Sequence, residues 1–248
     1  MVVLSSFRAL RPPADQAAAV ASVPYDVVSE SEARALAARD PRSFLHVIRA
    51  EVDLEPGADA EARYARAKAN LERFQAEGWL RADAAPHIYV YRVGSQTGVA
   101  ALLATADYRA GRIKRHELTR PAKEDDRTRL LETLQAHVGP VFLTHRDDPA
   151  VDAAVATAVA ETPLYDFEAD DGIRHTVWQA RDAAPFIAAF AAFDVYIADG
   201  HHRAASAARV DSAMLGVLFP ERQVGILAYN RVLSDLNGLT SAAVRERL

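Results

Sequence analysis

The residue types with the greatest capacity for chemistry lie together at Asp199-Gly200-His201-His202-Arg203. A short apolar run ends just before them at Ala198, and an Ala-rich stretch follows, so the pattern predicts a strand-to-helix turn. The first N–H groups of a helix lack intrahelical partners and carry the positive end of the helix dipole, which favours bound phosphate. The cluster therefore indicates a phosphate site, with the alternative that Asp199 merely caps an exposed helix.

Each residue type in this cluster suits such a site for its own reason. Gly200 permits a tight turn and close approach of a ligand to the backbone. Arg203 offers a two-pronged cationic contact to phosphate oxygens. Asp199 supplies a carboxylate, while His201 and His202 can change charge near neutral pH. Under the alternative, the two His and the Arg only solvate the first turn of the helix.

The same five residues resemble the signature of a bacterial and archaeal family known as domain of unknown function ten-fifteen. The motif is also similar to one in archaeal free serine kinases of the ParB/sulfiredoxin-like superfamily, where the equivalent turn holds nucleotide phosphates. The resemblance implies an α/β (α+β) fold, with a mixed sheet of the ParB/sulfiredoxin type, surrounding helices and extra hairpins.

A second segment, 114–127, is dense in charge and lies between a predicted hydrophobic hairpin and a predicted helix at about 127–137. Charged runs are most often solvated loops, yet loops mounted between core elements also carry function. His116-Glu117 can supply a general base, and Lys123 with Arg127 can neutralise phosphate charge. The order His-Glu, then Thr119, then Lys and Asp-Arg, also resembles the family pattern.

A third segment near the N-terminus carries Tyr25 and Asp26 after Pro24. By residue type alone, the Tyr packs and the Asp caps a turn. The sequences of residues 7–12 and 24–27 resemble the N-terminal region of the same family. This resemblance makes Tyr25 and Asp26 candidate substrate contacts. His175, on a predicted strand, is a secondary candidate.

Periodicity and turn residues predict the elements that must position these side chains. Helices are predicted at 30–39, where Ser29 and Glu32 have capping-box spacing, at 59–77, at 152–161 and near the C-terminus. Strands are predicted at 43–49 and 141–145, and strand pairs at 87–93 with 98–108, 163–168 with 173–179, and 214–219 with 224–229.

Composition narrows the classes of function. The chain has 248 residues, 50% of them hydrophobic, and no Cys, which excludes disulfides and thiolate chemistry. A net charge of -5 argues against a broad nucleic-acid surface. No apolar run is long enough to span a membrane and no signal peptide is recognisable, so we expect a cytoplasmic protein. We expect one domain over 1–248, abridged near 209–212 and at the C-terminus, because family members carry longer segments there.

The leading hypothesis is a small-molecule kinase that transfers a phosphoryl group from ATP or ADP, with Mg²⁺, to free L-serine or a similar hydroxyl compound. No Walker-type Gly-rich loop is present, so a P-loop kinase is excluded. The assigned roles are catalysis by Glu117, Asp199 and His201; phosphate binding by Gly200, His202, Arg203, Lys123 and Arg127; substrate binding by Tyr25, Asp26, His116 and Thr119; and Mg²⁺ binding by Asp199.

Two other functions stay open at this stage. A metal-dependent phosphoesterase would use His116, Glu117, Asp199, His201 and His202 as ligands, although adjacent His residues rarely bind one ion. A nucleotide-gated DNA-binding module would need a basic helix-turn-helix, and the sequence shows no such pair.

Overall fold

The computed structural model describes residues 2–226, 228 and 235–247. Its strands are β1 (Leu4–Ser5), β2 (Leu10–Arg11), β3 (Arg81–Ala82), β4 (Tyr89–Val93), β5 (Gln96–Ala104), β6 (Ile113–Lys114), β7 (Val141–His145), β8 (Tyr165–Glu168), β9 (Arg174–Gln179), β10 (Val195–Asp199) and β11 (Ala213–Pro220). Its α-helices are α1 (Ala17–Val20), α2 (Glu30–Ala37), α3 (Leu45–Ile48), α4 (Ala60–Ala76), α5 (Thr105–Arg109), α6 (Pro121–Leu134), α7 (Pro149–Val159), α8 (Ala184–Phe190), α9 (His201–Val210) and α10 (Ser241–Arg245).

A single large mixed sheet organises the described chain. Its nine strands run in the order β6-β10-β7-β11-β5-β4-β9-β8, with β1 paired to the end of β5. Strand β10 is parallel to β6, and β11 is parallel to β7, whereas the other neighbours are antiparallel. Helices flank this sheet, and β4-β5 and β8-β9 are hairpins. The predicted α/β (α+β) class with a mixed sheet, surrounding helices and hairpins is therefore confirmed.

Two hydrophobic cores hold the layers together. The larger core joins one face of the sheet to helices α5, α7, α8 and α9, and includes Leu103, Leu143, Phe190 and Ala204. The smaller core joins α1, α3, α4 and α6 through residues such as Phe74 and is separate from the sheet. Since apolar burial is the main stabilising term, these two cores fix where α9 and α6 meet.

Local sequence patterns predicted several helices and strands correctly. The Ser29 hydroxyl accepts from the Glu32 N–H and the Glu32 carboxylate accepts from the Ser29 N–H, which is the predicted capping box of α2. Asp59 caps α4, and Gly78 follows its end with a φ of +70°. The hairpins of residues 89–104 and 165–179, the strand Val141–His145, the helix Pro149–Val159 and the final short helix also match their predictions.

Other predictions were wrong, and tertiary context explains them. Residues 43–49 form no strand; Leu45–Ile48 is a short helix, because Leu45 and Val47 are buried among helices where no strand offers a partner. Residues 105–109 leave the hairpin and form α5. The segment after β11 continues as a 3₁₀ turn, Glu221–Gln223, and residues 224–226 are not in a strand.

The charged segment also differs from its prediction. Helix α6 begins at Pro121 rather than near 127, because proline suits the first turn of a helix and Arg120 before it is extended. The helix ends at Leu134, since Gln135 takes the left-handed conformation with a φ of +52°. Lys123 and Arg127 therefore lie on a helix, while His116 and Glu117 lie on the preceding loop.

Two further expectations concern the predicted strand near the end of the chain and membrane-spanning helices. Residues 227 and 229 of the predicted strand, and the following 230–231, lie outside the described residues. None of the described helices is long and apolar enough to cross a membrane.

Candidate functional site

The turn from β10 into α9 is where the sequence predicted it. Gly200 has a φ of +93°, a left-handed conformation that L side chains rarely adopt. A Cβ at this position would also lie 2.9 Å from Nε of Arg203. Glycine is therefore required twice, once for the backbone turn and once because the Arg203 side chain packs against it.

Arg203 is the most connected side chain of this turn. Its Nη2 donates to Oδ2 of Asp199 at 2.5 Å, and its Nη1 donates to the carbonyl of Pro140. Its Nε is buried without a hydrogen-bond partner, and the side chain as a whole is only 19% exposed. The guanidinium is thus held in place by protein groups and keeps one buried donor unpaired, an unusual state for a polar atom.

Tyr25 lies between two arginines. The guanidinium carbon of Arg127 is 4.6 Å from the Tyr25 ring centroid, and that of Arg203 is 6.0 Å away, both within cation–π range. Burial raises the pKa of Tyr25, against the opposing effect of the two cations. Arg127 is in turn paired with Asp126 at 2.5 Å. The N-terminal segment, α6 and α9 therefore meet at one cationic cluster.

A second group of predicted residues surrounds His201, which is 3% exposed. Its Nε2 accepts from the His116 N–H at 3.4 Å, and its Nδ1 lies 3.6 Å from Oε2 of Glu117. The His116 ring meets it edge-on at 4.4 Å. Burial and the neighbouring His116 lower the pKa of His201, so the ring is neutral near pH 7 and its Nδ1–H faces Glu117.

The rest of α9 holds the charged segment through polar contacts. Nε2 of His202 accepts from the Arg120 N–H at 3.0 Å, and the Ser206 hydroxyl donates to the Glu124 carbonyl at 3.0 Å. The Thr119 hydroxyl donates to the Glu124 carboxylate at 2.8 Å. His202 and Thr119 therefore already have protein partners, and in this structure their contacts anchor the loop of residues 115–120.

The predicted site residues thus fall into two adjoining clusters at the start of α9. One contains Asp199, Gly200, Arg203, Tyr25 and Arg127, and the other contains Glu117, His116 and His201. Four predicted residues stand apart from both clusters: His202 and Thr119 hold the loop of residues 115–120, Lys123 is exposed on the first turn of α6, and Asp26 is exposed at the rim of the cavity described next. Among the described residues, Lys123 has no ion pair.

A cavity of about 650 Å³ opens beside the first cluster. Asp199, Arg203, Tyr25 and Asp26 line one end of it. Its remaining walls are mainly apolar and aromatic, which is the usual composition of a small-molecule site. The candidate site is therefore a polar turn joined to a deep apolar cavity.

The donor set at this turn suits magnesium brought by a ligand rather than a metal site made by the protein alone. Asp199 is a single carboxylate, with a side chain that is 67% exposed. Within residues 2–226, 228 and 235–247, no group of three or more His, Asp or Glu is arranged to hold a metal ion. Mg²⁺ is commonly bound by one or two carboxylates plus substrate phosphates and water, so Asp199 fits that mode.

Sequence reasoning missed two features of this site. Pro140, whose carbonyl fixes Arg203, belongs to none of the recognised motifs. Tyr91, which lines the cavity, also belongs to none of those motifs, whereas Tyr89 on the same strand is buried. The alternation of aromatic residues at 89 and 91, and again at 165 and 167, was the available signal for a wall of this kind.

Comparison with known proteins gives a family for the chain. The family model described as "Protein of unknown function (DUF1015)" matches residues 4–248. No curated protein and no solved structure matches the chain. The chain therefore belongs to the DUF1015 family.

Proposed function

We propose that this member of the DUF1015 family is a phosphotransferase that moves a nucleotide phosphoryl group to free L-serine or a similar small hydroxyl compound. The observation that carries the proposal is the position of Arg203 and Gly200 at the start of α9, directly beside a cavity large enough for a nucleotide. The similarity of Asp199–Arg203 to the phosphate turn of free serine kinases supports the same function.

Phosphoryl transfer needs positioning and charge neutralisation more than covalent chemistry. Arg203 brings a guanidinium with an unpaired buried Nε to the helix start, and the positive end of the α9 dipole adds to its field. Arg127, fixed over the Tyr25 ring, adds a second cation. Bound phosphate oxygens would compete with Asp199 for the Arg203 guanidinium, which frees the carboxylate.

Glu117 is the proposed general base. Its side chain is 60% exposed, so it is accessible to a substrate hydroxyl. The hydroxyl oxygen attacks the terminal phosphorus, the bond from phosphorus to the bridging oxygen breaks, and the hydroxyl proton passes to Glu117. Neutral His201 has its Nδ1 at 3.6 Å from Oε2 of Glu117, so a small approach would let its Nδ1–H donate to the carboxylate and make His201 a positioning residue.

Asp199 is the residue that would hold Mg²⁺, together with phosphate oxygens of the nucleotide. When bound there, the ion would supply charge neutralisation on the transferred group. In the absence of nucleotide, the carboxylate is neutralised by Arg203 instead.

Phosphotransfer kinetics of the wild type, Glu117→Gln and Glu72→Gln test the role proposed for Glu117. Glu117→Gln keeps the size of the side chain but removes the base, so kcat should fall by about 10²–10⁴-fold with little change in nucleotide KM. Glu72→Gln makes the same chemical change on an exposed position of α4 and should match the wild type. A Glu117→Gln protein with wild-type kcat would remove Glu117 from the mechanism.

A further inference from the structure

The aromatic part of the cavity belongs to one face of the large sheet. Residues that are paired across β4, β8 and β9 point to this face: Tyr91 is opposite Val177, Val177 is opposite Tyr165, and Phe167 is opposite His175. The opposite face of the sheet faces the larger core, where Val90 and Trp178 are buried. The cavity is thus the space between this aromatic face and the N-terminal segment, which contributes Leu10, Pro12, Val20 and Val23.

Flat rings are a repeated feature of this wall. The His175 ring is stacked with Phe167 at 5.4 Å and with Tyr91 at 5.9 Å, with interplanar angles of 17° and 19°. On β11, the Phe219 ring lies against Gly98, where a Cβ would approach it to 2.9 Å. Because His175 stacks with both Phe167 and Tyr91, the ring faces of those two residues that point away from His175 are the ones against which another planar ring can stack.

One polar pair interrupts the apolar wall. The Tyr91 hydroxyl and Nδ1 of His175 are 2.7 Å apart. Burial lowers the pKa of His175 and raises that of Tyr91 to about 12, so both groups are neutral at pH 7. When Tyr91 donates to Nδ1, the Nε2–H of His175 is left as a hydrogen-bond donor for a ligand.

The volume of the cavity, and the fact that the aromatic wall and the Arg203 turn line the same cavity, indicate the class of ligand. A cavity of about 650 Å³ is far larger than free serine requires, and it is of the size that encloses ligands of a few hundred daltons. The aromatic wall and the Asp199, Arg203 and Tyr25 end line the same cavity. We propose that the cavity binds the nucleobase of the phosphoryl donor, packed against the Tyr91 and Phe167 rings and within reach of the His175 Nε2–H, with its phosphates directed to Arg203. This inference rests on the proposed function, because that function supplies the nucleotide.

Calorimetric titration with adenosine and with tripolyphosphate separates the two halves of the ligand. Wild-type protein should bind both probes. Val177→Phe places a ring in the space that the base would occupy and should therefore weaken adenosine binding about tenfold or more, while tripolyphosphate binding is unchanged. Val210→Phe, at an exposed position that ends α9, is the matched control and should bind both like the wild type.

A second variant tests whether the effect of Val177→Phe comes from distortion of the protein by the added ring. Phe167→Leu keeps an apolar side chain of similar length and removes one stacking ring, so its affinity for adenosine should again be lower than that of the wild type, while its affinity for tripolyphosphate is unchanged. Failure of wild-type protein to bind adenosine, or equal adenosine affinity in all these proteins, would overturn the inference.

The outcomes also separate this inference from the proposed function. If Val177→Phe raises KM for the acceptor and not for the nucleotide, the cavity holds the acceptor; the inference is then wrong although the kinase stands. If adenosine binds in the cavity but no acceptor is phosphorylated, the nucleobase site stands and the proposed function is wrong.

Discussion

The Arg203 side chain is held in one position by protein groups, which suits its proposed role in binding phosphate. Its two terminal nitrogens are bound to Asp199 and to the Pro140 carbonyl, and its Nε faces Gly200. A guanidinium held in this way loses little conformational freedom when it binds phosphate, which favours affinity. The same geometry makes Gly200 the residue on which the position of Arg203 depends.

We therefore predict that Gly200→Ala weakens nucleotide binding through Arg203. The new Cβ would collide with the guanidinium, in addition to a backbone cost of about 1–3 kcal/mol for a side chain at this φ. Titration of ATP by calorimetry measures the binding loss, and urea unfolding measures the stability loss.

Gly111→Ala is the control, because Gly111 also has a positive φ, +72°, but nothing within 4 Å of its Cβ position. It should lower stability to a similar extent and leave ATP affinity intact. Equal ATP affinities in Gly200→Ala and Gly111→Ala would contradict the role given to the Gly200–Arg203 contact.

At the scale of elements, α9 acts as the anchor for the loop of residues 115–120. Two consecutive histidines of its first turn accept backbone N–H groups from that loop, His201 from His116 and His202 from Arg120. Each contact uses Nε2, so each requires that nitrogen to be unprotonated. The loop that carries Glu117 is therefore positioned by the same turn that carries Gly200 and Arg203, the residues proposed to bind phosphate.

His202→Ala should release the Arg120 amide. Its hydrogen exchange should become faster than in the wild type, because the acceptor at 3.0 Å is lost. His202→Gln offers an amide oxygen near the position of Nε2 and should restore part of the protection. An unchanged Arg120 exchange rate in His202→Ala would show that the loop is held by other contacts.

Acid should loosen the same loop at His201. Because burial lowers the pKa of His201 below the ordinary value of about 6.5, the folded state favours the neutral ring. The stabilisation is complete above pH 6.5 and is lost as pH falls through the lower, folded-state pKa. Beyond the intrinsic dependence of exchange on pH, the His116 amide should therefore lose protection progressively as the pH falls below 6.5 and through the lower pKa of His201 in the folded state.

His201→Gln keeps an acceptor that does not titrate in this range. In that variant, the corrected protection of the His116 amide should be nearly independent of pH. Loss of protection with the same pH dependence in both proteins would assign the effect to another group, such as the buried His145, whose pKa burial also lowers.

At the scale of the whole molecule, the two hydrophobic cores leave a cavity between them. The larger core holds one sheet face against α5, α7, α8 and α9, and the smaller core gathers the N-terminal helices with α6. A ligand in the cavity contacts both layers, so it binds the folded state alone. ATP at 100 times its Kd should raise the free energy of unfolding by about 2.7 kcal/mol, seen as a higher Tm.

Tripolyphosphate offers a check on that result. It reaches only the polar end of the cavity, so at equal concentration it should raise the Tm less than ATP does. Identical Tm shifts for the two ligands would show that the aromatic wall contributes nothing to binding.

Local chemistry explains which parts of this molecule could be predicted from sequence. The Asp199–Arg203 turn, the Ser29 capping box and the hairpins β4-β5 and β8-β9 depend on glycine, cap residues and alternation within a few positions, and these are confirmed as structure. The predicted pairing of 214–219 with 224–229 was wrong, since residues 224–226 are not in a strand. The short helix Leu45–Ile48 was mistaken for a strand because its residue types fit both, and packing against other helices decides between them.

The set of residues that line the cavity could not be predicted from the sequence. Its walls come from the N-terminal segment, four residues of the hairpin β8-β9 and strands far apart in the chain, so no local window contains it. The contacts of Arg203 with Pro140 and of His201 with Glu117 likewise join residues that are distant in sequence. Such juxtapositions depend on the sheet order, which periodicity does not supply.

The central claim is that the turn at Asp199–Arg203 and the adjoining cavity form a phosphotransfer site. Phosphorus NMR of the wild-type protein with Mg²⁺, ATP or ADP, and a pool of free amino acids led by L-serine tests it most directly. We predict that a phosphomonoester signal matching phosphoserine grows as the terminal nucleotide phosphate declines, and that it is absent when L-serine is omitted. Nucleotide signals that shift on binding but stay constant with every acceptor would contradict the claim.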